Sequence, residues 1–270
     1  MLTRIISAIF MIVGITYVLL YTPWWGMGLV VLFALLLAAG EYHAMAAPGA
    51  DTIDRTIFTI ACLLAASWPV TEKIWPGCDQ TALMLLAFFM IAAGRLMRPG
   101  QLEASMGRLG LDAFGLLYLG LTFPMIILLR DRPDGGWVVL MVMAVTFGSD
   151  TGGYFAGKFL GRHKLYPLIS PKKTVEGAVG GVLLAIGAAF AARAWFPGHD
   201  WLSPAHCVLI GGLGAAVTIT GDLVESMIKR AFKAKDSGTL IPGHGGLLDR
   251  VDGLLFSGPF IWLYLEWLAP

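Results

Sequence analysis

The sequence is short of charge. Only 14% of its 270 residues are Asp, Glu, Lys or Arg, against about 25% in a typical soluble domain. Hydrophobic residues make up 57%, and mean hydropathy is +0.74. That deficit is too large for an ordinary buried core and implies an integral membrane protein. Cysteine is scarce as well. Cys62, Cys78 and Cys207 stand far apart, give no metal-ligand spacing and read as single packing residues. No G-x-x-x-x-G-K-[ST] occurs, and no G-x-G-x-x-G follows a strand pattern, so neither a P-loop nor a dinucleotide-binding fingerprint is present. There is no repeat of 20–50 residues and no low-complexity segment, and no nucleic-acid partner is expected.

What the chain does have is apolar runs. Nine are candidates to cross a hydrocarbon core about 30 Å thick: 5–21, 26–47, 57–71, 81–97, 110–129, 136–156, 174–196, 202–220 and 254–269. The expected class is therefore all-α, a polytopic membrane protein with about nine transmembrane helices. The first run follows Arg4 and enters "YTPWWG" without a small-residue cleavage site, so it reads as a retained span. With the N-terminus inside, all but four of the 19 Lys and Arg residues fall on one side; the exceptions are Lys73, Arg130, Arg132 and Arg193. The positive-inside bias places that side in the cytoplasm.

The chain divides into an N-terminal set of helices, 1–130, and a C-terminal region, 131–270, with cytoplasmic loops over 157–173 and 221–253. In the first, Glu41 is the charge that stands out within a span. A carboxylate there faces protein or water, and Glu41 either serves function or is simply exposed near the end of its helix. In the second, glycines recur four apart (Gly153, Gly157 and Gly161; Gly177 and Gly181), a spacing that suits close helix packing and could equally suit a homodimer.

The polar residues of the second region are of the types that bind phosphates and hard cations. Asp150, Asp222, Asp249 and Asp252 lie at or near span ends, and Asp249 and Asp252, three apart, would share a helical face. Magnesium takes oxygen ligands, often one or two carboxylates plus substrate phosphates. Salt bridges to the interleaved Lys and Arg are the other way to neutralise these acids. The loop 157–173 holds Lys158, Arg162, Lys164, Lys172 and Lys173 and no acid. "SPKKT" reads as a helix start with Ser170 as N-cap and Pro171 at the first helical position, its free N–H groups facing an anion. Asp222, Ser226, Lys229 and Lys233 recur at helical spacing, and "DSGTLIPGHGG" then breaks the helix. His244 is either an acid–base group or a hydrogen-bonding partner within that turn.

The stretch "SMIKRAFKAKDSGTLIPGHGGLLDRVD", Ser226 to Asp252, closely resembles the signature of the phosphatidate cytidylyltransferases, also called CDP-diacylglycerol synthases. Ser226, Lys229 and Arg230, Lys235 and Asp236, Pro242, His244, Gly245 and Gly246, then Asp249, Arg250 and Asp252 match it in order. "SPKKTVEG" and "SDTGGYFAG" are similar to further segments of that family. The resemblance covers about 146–260. It implies an inner-membrane enzyme that condenses CTP with phosphatidic acid at the cytoplasmic face, giving CDP-diacylglycerol and pyrophosphate, with Mg2+ and room for a second cation. On that reading Asp222, Asp249 and Lys173 are catalytic, and Asp222, Asp249, Asp252 and Asp150 hold the metal. Ser170, Lys172, Lys173, Lys229, Arg230, Lys235 and Arg250 bind substrate phosphates. A CTP-dependent lipid kinase would use similar charges, and a transporter of phosphorylated substrates would suit Asp150 and Glu41.

Overall fold

The computed structural model describes residues 2–98, 100–197, 201–240 and 245–268. Its helices are α1 (Leu2–Tyr21), α2 (Trp24–Ala46), α3 (Thr52–Ala66), α4 (Trp68–Ile74), α5 (Gln80–Met97), α6 (Leu102–Gly120), α7 (Phe123–Asp131) and α8 (Gly135–Leu160), followed by α9 (Val175–Trp195), α10 (Pro204–Ala231), α11 (Leu248–Val251) and α12 (Leu254–Trp267). Between α8 and α9 the strands β1 (Lys164–Tyr166) and β2 (Ser170–Thr174) form an antiparallel hairpin. The expected all-α, polytopic class holds: this is a multi-pass membrane protein.

Among the described residues six helical segments are long and apolar enough to cross a membrane, or seven if α3 and α4, bent by 56°, make one span. The expected nine is therefore not reproduced. Helices stand at the first and ninth positions, but α12 has 14 residues, about 21 Å at 1.5 Å per residue, short of the hydrocarbon thickness. Other boundaries move because hydropathy follows lipid contact rather than helicity. α10 runs on through charged residues to Ala231, well past the expected end at residue 220.

The chain forms two compact units: Met1–Ile9, Thr22–Leu128 and Phe232–Arg250 in one, Phe10–Tyr21, Leu129–Ala231 and Val251–Pro270 in the other. The first carries a buried polar cluster that hydropathy did not single out. Asp112 on α6 is 4% exposed. Its Oδ2 accepts from Arg95 Nε at 3.1 Å and Nη2 at 2.8 Å, while Arg95 Nη1 donates to Asp54 Oδ2 at 2.6 Å. Glu41 is thus not the only notable charge within the helices of this unit. One hydrogen-bonded guanidinium serves two acids, the arrangement a low-dielectric site requires.

In the second unit α8 and α9 approach through glycine. A Cβ on Gly152 would lie 2.4 Å from the Gly180 carbonyl oxygen, and one on Gly180 would lie 2.2 Å from the Ala156 Cβ. Small residues replace side-chain interlocking with backbone contact, a usual means of joining helices in lipid. Gly152→Ala should therefore cost about 1–3 kcal/mol, the range for an overpacked core, seen as a lower Tm in detergent. Gly187→Ala is the control, since nothing lies within 4 Å of its added methyl. Equal melting of the two variants would show that the seam is not tight.

Candidate active site

The hairpin after α8 corrects the helix start expected at "SPKKT". Ser170 to Thr174 form strand β2, and α9 begins only at Val175. Ser170 is not an N-cap; that position belongs to Thr174, whose hydroxyl accepts from Gly177 N at 3.1 Å. Pairing across the turn, Lys164 with Thr174 and Tyr166 with Ser170, extends the backbone through Lys172 and Lys173. Glu176 ties down the same turn. Its Oε2 accepts from Arg162 N at 3.0 Å, and its Oε1 lies 2.6 Å from His163 Nδ1.

Lys172 is exposed and Lys173 half-buried. Both line a cavity of about 400 Å³ within the second unit, with Asp150, Tyr154, Lys158 and Asp222 among its other walls. Lys173 Nζ stands 2.7 Å from Asp222 Oδ2 and donates to the Ile219 carbonyl at 3.5 Å. Asp150 is exposed on α8. Lys158 lies 5.7 Å from the Tyr154 ring centroid, close enough for a cation–π contact. Neither Ser149 nor Tyr154, which also line the cavity, was singled out from sequence. A tyrosine one helical turn from Asp150 in "SDTGGYFAG" is the signal that could have found the latter.

Asp252 lies past the end of α11, so it does not share a helical face with Asp249 as expected. Burial, and then the negative charge of Asp222 and Asp150, push its carboxyl up to about 7. Asp252 thus feels the charge of both other acids, which a cation beside it would offset. Among the described residues, however, no three His, Cys, Asp or Glu side chains converge into a ready-made metal cage. The arrangement fits magnesium as that ion is commonly held, by one or two carboxylates with phosphates and water completing the shell. It does not fit an all-protein site.

α10 presents Lys229 beside Glu225, a fully buried acid with which it forms an ion pair. Ser226 Oγ donates to Asp222 Oδ1 at 3.2 Å, so the expected helical face is present from Asp222 to Lys229. Lys233 leaves that face, since α10 ends at Ala231 and Lys233 has φ of 56°. Arg230 at the helix end is exposed.

The glycine-rich loop belongs to the first unit. There Asp249 Oδ2 accepts from Ser237 N and Gly246 N, each at 2.9 Å. Gly245 has φ of +86°, a conformation L-residues rarely adopt, and a Cβ there would also meet Asp249 Oδ2 at 2.8 Å. Lys235 and Arg250 are exposed. Pro242 and His244 lie outside the described residues.

A multi-pass membrane protein with lysines and carboxylates around one cavity, and a glycine-rich loop organised by an acid, is of the class that handles phosphorylated substrates beside a bilayer. Residues 2–268 match the profile of the Cytidylyltransferase family, and the chain belongs to that family. It is 35% identical over 265 residues to the phosphatidate cytidylyltransferase of Brucella suis biovar 1, covering 97% of this chain and 92% of the relative. The phosphatidate cytidylyltransferase of Bacillus subtilis is 32% identical over 241 residues, 88% of this chain and 77% of its own. That of Synechocystis is 31% identical over 290 residues, 99% and 97% of the two chains. The similarity thus extends through the N-terminal helices, beyond the segment from which it was legible.

Proposed function

We propose that this chain transfers the cytidylyl group of CTP to phosphatidic acid, giving CDP-diacylglycerol and pyrophosphate. The observation that carries the reading is the cavity where Lys172 and Lys173 stand with Asp150 and Asp222, in a chain of the Cytidylyltransferase family. A phosphate oxygen of phosphatidic acid attacks the α-phosphorus of CTP, and the bond to the bridging oxygen of the β-phosphate breaks. The electron pair leaves with pyrophosphate. The nucleophile is already ionised near neutral pH, so no strong general base is needed. Positioning and charge neutralisation suffice, as is general for phosphoryl transfer.

Lys173, held by Asp222 on a half-buried strand, is assigned the phosphorus under attack, and exposed Lys172 the outer phosphates. Lys229, Arg230, Lys235 and Arg250 are assigned to further phosphate oxygens of the two substrates. Asp222, Asp252 and Asp150 would hold Mg2+, which when bound supplies positive charge to the triphosphate; Asp249, on the loop of the first unit, is assigned as a catalytic residue in its own right. Ser170 loses the capping role that motivated its assignment and retains only its place on β2. The positive-inside bias supports a site open to the cytoplasm, and the inner membrane is the compartment we assign.

The test uses purified protein in detergent with phosphatidic acid, magnesium and CTP labelled at the α-phosphorus. Label should enter the lipid phase with one pyrophosphate released per lipid, and chelation of magnesium should abolish it. If instead only γ-labelled CTP marks the lipid, the chain is a kinase. Label in neither form of lipid, from folded protein, would overturn the enzyme reading.

A further inference from the structure

Glu41 lies on α2, some 200 residues in sequence from the glycine-rich loop, yet both of its carboxylate oxygens are engaged by that loop. Oε1 accepts from Leu247 N at 2.9 Å. Oε2 accepts from Leu248 N at 2.9 Å and from Ser237 Oγ at 3.0 Å. Ser237 Oγ in turn accepts from Asp249 N at 3.3 Å, and Asp249 Oδ2 closes the circuit on Ser237 N and Gly246 N. All of these residues belong to the first unit. We propose that Glu41 is a positioning residue for the reaction: its carboxylate holds the glycine-rich loop in register and so fixes where Asp249 stands.

Three features favour this over a chance contact. The donors come from both limbs of the loop, Ser237 on the way in and Leu247 and Leu248 on the way out, so one side chain ties the two limbs to each other. The donors and the acceptor match, because two backbone N–H groups and a hydroxyl meet an acceptor-only group. The glycines also fit around it. A Cβ on Gly238 would lie 2.6 Å from Glu41 Oε1, and one on Gly246 would lie 2.5 Å from Oε2 and 2.1 Å from Ser237 Oγ. Two glycines of the loop thus leave the space that the acid fills. This explains a charge near the end of a span, where an unused carboxylate would be costly.

The proposal rests on the cytidylyltransferase reading, and its test separates the two. Glu41→Gln keeps the size but turns an N–H donor toward N–H donors, and Glu41→Asp keeps the charge on a shorter arm. For Glu41→Gln, kcat should fall about 10²-fold, the cost of a misplacement of about 1 Å, with a much smaller change in KM for CTP. Glu41→Asp should recover part of the loss. Hydrogen exchange should speed at least tenfold in peptides covering 245–250 and stay unchanged in α2 and α3.

Wild-type kcat, or lowered kcat with unchanged exchange in the loop, would overturn the proposal. So would loss of protection throughout α2 and α3, which marks a merely structural role. Should Glu41→Gln fail to fold, Ser237→Ala decides, since it removes the hydroxyl that joins Glu41 to Asp249 while leaving every residue of α2 in place. It should lower kcat several-fold and speed exchange in the same peptides, and wild-type values for both would refute the clamp. If the wild-type enzyme itself forms no CDP-lipid, the functional reading fails, while loop exchange still reports on Glu41.

Discussion

Lys173→Ala is expected to lower kcat/KM for cytidylyl transfer by about 10²–10³-fold, the range seen when one preorganised donor to developing negative charge is removed. Lys173 is half-buried on β2, and its ammonium is held 2.7 Å from Asp222 Oδ2 while it faces the cavity. A cation kept in place before substrate arrives needs little reorganisation when charge builds on the transferred phosphorus. The fold should survive. The pair is partly exposed, with side-chain accessibilities of 23% and 32%, and pairs in such settings contribute only about 0–1 kcal/mol. Kinetics separate this role from simple charge balance. Lys173→Arg keeps the charge but spreads it over a planar fork, so it should recover only part of the rate. Wild-type kinetics in Lys173→Ala, from protein with an unaltered melt, would remove Lys173 from the site.

The second large effect is expected at Asp222. Asp222→Asn should reduce kcat at least about 10²-fold at ordinary magnesium and raise the magnesium needed for half-maximal rate by at least about tenfold. Even loss of a supporting partner costs a metal site 10–100-fold in affinity. Asp222 has two possible duties, to pair with Lys173 and to hold a cation, and the magnesium titration distinguishes them. If it serves only the lysine, rate falls while the magnesium requirement stays put. If it holds the ion, the requirement moves, because the remaining acids, Asp150 and Asp252, supply less negative charge. Unchanged rate and unchanged magnesium dependence would rule out both duties.

The sequence made the membrane class and the chemistry legible for the same reason: each depends on residue type more than on distant contacts. The runs at 26–47, 81–97 and 174–196 lie within a residue or two of α2, α5 and α9. Errors arise where a local pattern competes with a non-local partner. Ser-Pro before two lysines is a sound helix start by itself, but Lys164 and Tyr166 pair with that segment and extend it into a strand. α10 outlasts its apolar run because Lys229 and Glu225 pair along the helix, which lets it continue beyond residue 220. Asp112 and Arg95 neutralise each other across two helices, so neither acid nor base gives a local sign of burial. Glu41 was visible as an oddity, but its partners at Ser237, Leu247 and Leu248 could not be read from its neighbourhood.

That long reach has a consequence for biosynthesis. Glu41 leaves the ribosome 196 residues ahead of Ser237 and 206 ahead of Leu247. At about 5–20 residues per second, it waits roughly 10–40 s before any of its three donors has been made. During that interval α2 must be inserted with an acid that has none of its final partners, so water or lipid headgroups have to serve in their place. The clamp is accordingly a late event in maturation. Its closure marks the moment when the first and last thirds of the polypeptide have both been delivered to the membrane.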